Sequence, residues 1–212
     1  ANNYSFSYVG GEYTINPVVV TVRSMTGALQ GTVSKVYDGT NAATLSSANY
    51  ALTGWVGSDG ATVTRTLGSY DTVNVGTGKT VTVMLSHSDF LATGSTQLSN
   101  YVLPTMVSGA VGSITKATLT PSITASSKVY DTTTDATGSV SLAGVFSADA
   151  ASASAVAASY SFDNANVGVG KTVTASGITL SAGISGNYQL SSTQASGLAN
   201  ITPALVTVTA IN

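Results

Sequence analysis

The sequence predicts an all-β protein built from tandem repeats, on three observations. Val, Thr, Ile and Tyr alternate with small polar residues over short runs, which is typical of strands. Gly, Asn and Asp lie at the ends of these runs, where they favour turns. Several short motifs also occur twice in the same order along the 212 residues. Because a domain-sized interval separates the two copies, each copy is expected to fold as a unit.

The alternating runs predict individual strands. The clearest are at residues 18–22, 61–67, 80–85, 173–180 and 205–209. Turns are predicted at residues 38–39, 59–60, 76–78, 168–170 and 185–187, where Gly pairs with Asp, Asn, Ser or Thr. The stretch 147–159 is rich in Ala and Ser and has some helix propensity. Strand or irregular structure is favoured slightly over a helix there.

The composition is poor in charge, which excludes several classes of function. Charged residues make up 8% of the chain, and the formal net charge is −2, whereas about a quarter of residues are charged in a typical soluble domain. The Lys and Arg residues are scattered singly, so no basic stripe could bind nucleic acid. The apolar runs are too short to insert into a membrane. The absence of cysteine excludes disulfides and thiolate sites.

Four motifs define the repeat. KVYDGT at 35–40 recurs as KVYDTT at 128–133, and NVGTGKTV at 74–81 recurs as NVGVGKTV at 166–173. NYVL at 100–103 matches NYQL at 187–190, and ITKATLT at 114–120 matches ITPALVT at 201–207. A third, partial copy is seen in NY at 3–4 and INPVVVTV at 15–22. The predicted organisation is therefore the tail of a preceding repeat at 1–16 and full repeats at 17–116 and 117–212.

No residue pattern predicts catalysis or a bound cofactor. His87 is the single histidine and has no counterpart in the second copy, so a histidine metal site is excluded. GTGK at 76–79 has the wrong spacing for a phosphate-binding loop and precedes a strand rather than a helix. The nine acids never reach the spacing of a contiguous calcium loop. Ca²⁺ held by Asp131 with Asp135, or acids meeting from separate loops, is the arrangement that stays open.

The aromatic residues divide into repeating and private ones. Tyr37 and Tyr130 recur in register, as do Tyr101 and Tyr188, so all four are predicted to be buried. Trp55 has no counterpart at the matching position of the second copy, and neither do His87 and Asp59–Gly60 when positions are compared one by one. Packing is the first interpretation of Trp55. A sugar-stacking platform is the alternative, and it makes Trp55 the candidate ligand-binding residue.

The ordered motifs KVYDGT, NVGxGKxV, GNYxL and ITPAxVTV resemble the YDG and MBG-type, mostly-β, glycine-rich repeats of large bacterial surface adhesins. These include filamentous-haemagglutinin-like exoproteins of two-partner secretion systems. The chain departs from the pattern at Thr132, where Gly is usual, and before Asn100, where a Gly is missing. The resemblance implies an extracellular or cell-surface location and a role as a spacer or presenting arm in attachment or biofilm formation.

The expected fold is a tandem array of immunoglobulin-like β-sandwiches, elongated and stiff because the junctions are short. A β-grasp-like repeat with a single sheet is the alternative. The expected function is a non-enzymatic stalk whose partners are the neighbouring repeats. Binding of host-surface or biofilm glycans or proteins is the alternative, and an ice-binding surface is the third, disfavoured by the irregular spacing of Thr.

Overall fold

A computed structural model describes residues 23–209. Strands dominate this part of the chain, as predicted, and its helical segments are single 3-10 turns of three residues each. The strands of the first repeat are β1 Arg23–Ser24, β2 Thr26–Leu29, β3 Val33–Val36, β4 Ala42–Thr44, β5 Tyr50–Thr53, β6 Gly60–Val63, β7 Leu67–Tyr70, β8 Gly76–Met84, β9 Phe90–Thr93, β10 Tyr101–Val102 and β11 Met106–Thr115. Those of the second are β12 Ala117–Ala125, β13 Lys128–Val129, β14 Gly138–Ala143, β15 Ala155–Val156, β16 Ser159–Phe162, β17 Gly168–Ser176, β18 Thr179–Leu180, β19 Tyr188–Leu190 and β20 Gln194–Thr202. The all-β prediction is confirmed.

Each repeat combines one larger mixed sheet with several small ones. In the first repeat the strand order is β3-β11-β8-β7-β4, with β3 parallel to β11 and the other pairs antiparallel. The pairs β1-β10, β2-β5 and β6-β9 form separate two-stranded sheets. The sheets are curled and partly barrel-like. Since each repeat contains more than one sheet, the single-sheet alternative does not describe it.

The second repeat has the same topology as the first, with two differences. Its larger sheet has the order β13-β20-β17-β16, again with one parallel pair at β13-β20. The single strand β12 corresponds to β1 and β2 together, because it pairs with β19 at its start and with β14 along the rest. A single bridge between Asp135 and Ser161 takes the place of β4.

The glycines of the NVGxGK motif lie inside strands rather than in the predicted turns at 76–78 and 168–170. They belong to β8 and β17, where the pairing with β11 and β20 shifts register. Gly78 and Gly170 have φ of 65° and 64°, a left-handed conformation that a β-bulge can require and that glycine adopts without strain. The prediction missed this because a bulge and a turn use the same residue types.

Three other local predictions differ from the structure. The run 61–67 is divided between β6 and β7, and 173–180 between β17 and β18. Within 147–159, where strand or irregular structure was favoured over a helix, the prediction is confirmed, because the chain forms one 3-10 turn at Ser147–Asp149 and the short strand β15. Residues 205–209 form no strand, because the matching strand β12 pairs only with strands that follow it along the chain. The predicted run 18–22 lies outside the described residues.

A continuous apolar core extends across the boundary between the repeats. Buried residues of the first repeat such as Val81, Val83 and Ile114 belong to the same cluster as Leu119 and Tyr188 of the second. A smaller cluster, made of Phe162, Val173, Ala199 and Ile201, fills the far end of the second repeat. Lys116 alone separates β11 from β12, so the last strand of one repeat leads directly into the first strand of the next.

Candidate functional site at the junction between the repeats

The KVYDGT motif forms a loop closed by its own charged side chains. Lys35 Nζ donates to Asp38 Oδ1 at 2.7 Å and to the carbonyl of Thr40 at 2.7 Å. The same Asp38 oxygen accepts from the backbone N–H of Thr40 at 2.9 Å. Gly39 between them has φ of 76°. Because Lys, Asp and Thr hold both ends of the loop, Tyr37 is presented in a fixed direction.

The second copy builds the same loop with nearly the same distances. Lys128 Nζ donates to Asp131 Oδ1 at 2.7 Å and to the carbonyl of Thr133 at 2.8 Å. The hydrogen bond from Lys128, with that from the Thr133 backbone, lowers the pKa of Asp131 to about 2. Thr132 stands where the first copy has Gly39 and is forced to φ of 72°. The motif is therefore a structural loop that tolerates a strained residue.

A second ion pair fixes the neighbouring NVGxGK segment in each repeat. Lys79 Nζ lies 3.3 Å from Asp71 Oδ1, and Lys171 Nζ lies 2.9 Å from Asp163 Oδ1. Both lysine side chains are 9% exposed, so their aliphatic stems are packed while the ammonium groups meet the carboxylates. This ion pair was not predicted from the motifs, although Asp precedes Lys by eight residues in both copies.

The side chain of Tyr37 reaches out of the first repeat and docks on the second. We call its docking site the tyrosine socket, formed by Phe146, Asp149 and Tyr188. The rings of Tyr37 and Tyr188 meet edge-to-face with centroids 5.3 Å apart, and Tyr37 meets Phe146 at 6.1 Å, within the usual range for aromatic pairs. Asp149 Oδ2 accepts hydrogen bonds from both phenols, from Tyr37 at 2.9 Å and from Tyr188 at 2.6 Å.

The electrostatics of the socket favour the neutral form of both phenols. Burial, with the hydrogen bond to Asp149, raises the pKa of Tyr188 to about 12. The same two causes raise the pKa of Tyr37. Hydrogen bonds to a charged acceptor are stronger than neutral ones, so the shared Asp149 oxygen links the two repeats by more than apolar contact.

Backbone and amide groups complete the junction around the socket. The backbone N–H of Val75 donates to Asn187 Oδ1 at 3.0 Å, and Asn187 Nδ2 donates to Asn74 Oδ1 at 3.0 Å. The Asn187 carbonyl accepts from the N–H of Ala117 at 3.0 Å. Lys116 Nζ donates to the carbonyl of Ser185. The NVG and NY motifs of adjacent repeats therefore meet each other, which explains why both recur.

The first repeat carries an equivalent of the socket at its own N-terminal end. Tyr101 hydroxyl donates to Asp59 Oδ2 at 2.6 Å, and the Trp55 and Tyr101 rings meet edge-to-face at 4.8 Å. The tyrosine hydroxyl accepts from the N–H of Val56 in the first repeat and of Phe146 in the second, at 3.2 Å in both. The prediction that Asp59 has no counterpart in the second copy was therefore wrong, because Asp149 takes its place there.

Spacing gives the signal that would have identified this pair of acids. Gly54 precedes Asp59 by five residues, and Gly144 precedes Asp149 by five.

Trp55, the candidate ligand-binding residue, lies half-buried against Tyr101. It also lines a groove of about 360 Å³ together with Tyr50 and Leu52. The corresponding groove of the second repeat, about 310 Å³, is lined by Val140, Leu142 and Val145 instead.

Three of the four recurring tyrosines are buried as predicted, and one is not. Tyr37, Tyr101 and Tyr188 are buried, whereas Tyr130 is 40% exposed. Tyr37 is covered by the tyrosine socket of the following repeat. Its counterpart Tyr130 is exposed because the described residues include no further repeat that would cover it. The recurrence of a residue can thus reflect burial between repeats rather than within one.

The other sequence candidates do not converge on a site. His87 is exposed on a 3-10 turn. Asp131 and Asp135 line one shallow pocket, but Lys128 already pairs with Asp131 there. Between residues 23 and 209, no three His, Cys, Asp or Glu side chains cluster as a metal site would need. The same part of the chain contains no helix that is long and apolar enough to cross a membrane.

Comparison with protein families matches the YDG domain twice, at residues 20–108 and 115–195. Searches of curated proteins and of solved structures gave no match. The two matched segments contain the paired tyrosine loops, the socket and its counterpart around Asp59. The chain therefore belongs to the YDG domain family, with two copies of the domain in succession.

Proposed function

We propose that this chain is a structural spacer of a secreted or cell-surface bacterial adhesin, supporting attachment or biofilm formation without enzymatic activity. The two YDG domains act as units of an elongated array of β-sandwich-like domains, spanning about 70–90 Å if each contributes strands of roughly ten residues plus its junction. The adhesin assignment rests on the resemblance of the motifs to repeats of such proteins. The spacer assignment rests on the junction.

One observation carries the spacer proposal, namely the seating of Tyr37 in the tyrosine socket. A single residue, Lys116, connects the two strands that meet there. Tyr37 is 3% exposed, and its hydroxyl shares Asp149 with Tyr188. A short linker with a packed, hydrogen-bonded contact holds two domains in one orientation, whereas domains joined by long polar linkers move independently.

Spin-label distance measurements test this rigidity directly, since the chain has no native cysteine. Labels on Ser58→Cys and Val169→Cys, both exposed in the structure, report the separation of the N-terminal end of the first repeat from the start of β17 in the second. We expect one narrow distance distribution. Tyr37→Ala should broaden it, while the matched Tyr130→Ala should leave it unchanged. A broad distribution in the parent chain would contradict a stiff spacer.

Carbohydrate binding is the second candidate, favoured by the groove that Trp55 and Tyr50 line in the first repeat. Concave sites with aromatic walls are typical of ligand pockets. The matching groove of the second repeat has aliphatic residues in these places, which supports the spacer as the primary function. Glycan-array screening and calorimetric titration with sugars and Ca²⁺ should show no saturation. Micromolar binding that Trp55→Ala abolishes would establish the alternative.

A further inference from the structure

The far end of the second repeat presents the same side chains that form the junction in the first. Tyr130 corresponds to Tyr37 and is 40% exposed where Tyr37 is 3% exposed. Val167 corresponds to the half-buried Val75 and is 48% exposed. The loop that holds Tyr130 is already built, with Lys128 and Asp131 at the distances found in the first copy. The docking residue is therefore prearranged and without cover in the described part of the chain.

A second, independent observation comes from the segment after β20. ITPALVT at 201–207 matches ITKATLT at 114–120, so Val206 corresponds to Leu119 of β12. Leu119 is fully buried as part of the second repeat, whereas Val206 is 82% exposed. In the first junction this segment is the opening strand of the domain that covers Tyr37. Residues 204–208 thus have the apolar pattern of an opening strand but no partner strands among the described residues.

We propose that Tyr130, Val167 and residues 204–208 form the docking site for one more YDG domain in the same chain, whose opening strand is 204–208. The chemistry of that domain follows from the first junction. It must bring a carboxylate that accepts the Tyr130 hydroxyl, as Asp149 accepts that of Tyr37, and a tyrosine ring that meets it edge-to-face, as Tyr188 does. This inference rests on the proposed spacer function and extends it to a specific partner.

The test uses the 212-residue chain and an extended chain in which residues 122–202 follow Val208, so that residues 204–208 take the place of 117–121. The appended copy carries Tyr130→Phe, so that the nitrated peptide reports the original Tyr130 alone. Tyrosine nitration, read out by peptide mass spectrometry, reports the exposure of each phenol. In the 212-residue chain we expect Tyr130 to react and Tyr37 to be protected. In the extended chain the reactivity of Tyr130 should fall by about tenfold or more, because a packed interface must open before the reagent enters.

A matched variant of the extended chain carries Asp149→Ala in the appended copy only. It should restore much of the Tyr130 reactivity while Tyr37 stays protected. If Tyr130 reacts equally in both chains while the appended Tyr188 is protected and therefore folded, the inference is wrong. Protection of Tyr130 in the 212-residue chain that grows with protein concentration would also overturn it, in favour of end-to-end docking of a second copy.

The outcomes separate this inference from the spacer function itself. The spin-label distance across the first junction does not depend on any added domain. A narrow distance distribution with an unprotected Tyr130 would leave the rigid two-domain spacer intact. It would overturn only the docking of a further YDG domain. A broad distance with a protected Tyr130 would show docking without rigidity, which contradicts the proposed function but not the partner.

Discussion

Thr132 has a backbone conformation that favours glycine, with φ of 72° in a loop whose first copy has Gly39 at 76°. A β-branched side chain is disfavoured there by about 1–2 kcal/mol, whereas glycine is not. Replacing Thr132 by glycine removes this cost, but part of the stability gained is offset by the greater chain entropy of glycine in the unfolded state. We expect Thr132→Gly to raise the free energy of unfolding of the second repeat by about 0.5–1 kcal/mol, measured by urea denaturation.

The neighbouring Thr134 provides the control for this substitution. Thr134 is exposed, and Thr132 is the one non-glycine residue with positive φ between residues 23 and 209. Thr134→Gly should therefore destabilise the repeat by roughly 0.5–1 kcal/mol, since only the entropy cost remains. Equal effects of the two substitutions would show that the left-handed conformation at Thr132 carries no strain.

Asp131 should make the stability of the second repeat depend on pH in the acid range. Its pKa in the folded chain is about 2, below the ordinary value of 3.8, because Lys128 and the Thr133 backbone donate to the carboxylate. A depressed folded pKa gives stability that is fully present above about pH 4 and is lost as pH falls towards 2. Asp131→Asn should flatten the pH dependence of the unfolding free energy in this window.

A carboxyl NMR titration checks whether Lys128 lowers the pKa of Asp131. The Asp131 resonance should titrate near pH 2 in the parent chain, and Lys128→Met should move its midpoint up towards 3.8. A midpoint near 3.8 in the parent would mean that the loop does not hold the ion pair in solution.

Individual residues were predictable where both copies share a position in the sequence. The recurrence of Tyr37, Tyr101 and Tyr188 predicted their burial correctly. It failed for Tyr130, because the cover over that position comes from a different repeat and a pairwise comparison cannot tell the two kinds of burial apart. Asp149 was missed because Asp59 was compared by local sequence, and its partner, a tyrosine about forty residues away, becomes visible only once the strands are paired.

At the scale of structural elements, the junction loop and the tyrosine socket should behave as one unit. Tyr37→Ala removes a buried aromatic ring and should cost about 3 kcal/mol or more. Asp149→Ala leaves two buried phenols without their acceptor, and unsatisfied groups of this kind cost about 1–3 kcal/mol each. The double variant should lose less than the sum, with a coupling energy of about 0.5–3 kcal/mol by equilibrium denaturation.

Two substitutions serve as matched controls for that coupling. Tyr130→Ala changes the same motif position without a docked partner, so we expect a loss nearer 1 kcal/mol. Asp59→Ala removes the equivalent carboxylate of the first repeat, which accepts from Tyr101 within that repeat, and its effect should add to that of Tyr37→Ala. Additive losses for Tyr37 and Asp149 would contradict the shared hydrogen bond.

The strand content was predictable from alternation, but the arrangement of strands was not. Residues 80–84 of the predicted run 80–85 are strand, and β8 extends this run back to Gly76. The extension passes through a bulge at Gly78, whose sequence is indistinguishable from a turn. The parallel pairs β3-β11 and β13-β20 join segments more than seventy residues apart, and no local pattern encodes such pairing.

At the scale of the whole molecule, the shared core predicts that the two repeats unfold together. The cluster that includes Tyr37 and Ile114 continues into Leu119, Ile184 and Tyr188 of the second repeat. The cluster confined to the second repeat has only four buried members. In tandem-repeat proteins, stability is approximately a sum of intrinsic repeat terms and interface terms between neighbours. The second repeat should therefore depend on its interface with the first.

Differential scanning calorimetry should accordingly give one transition for the parent chain and two for Tyr37→Ala. The first repeat keeps most of its core in that variant, whereas the second loses the ring that covers Tyr188, so the lower transition should belong to the second repeat. Its assignment can be checked by adding Thr132→Gly, which lies in the second repeat and should raise only the lower transition. A single transition that simply shifts down in Tyr37→Ala would mean that the covalent strand connection at Lys116, rather than the tyrosine socket, couples the domains. In that case, inserting a short Gly-Ser linker after Lys116 should separate the transitions while Tyr37 is still present.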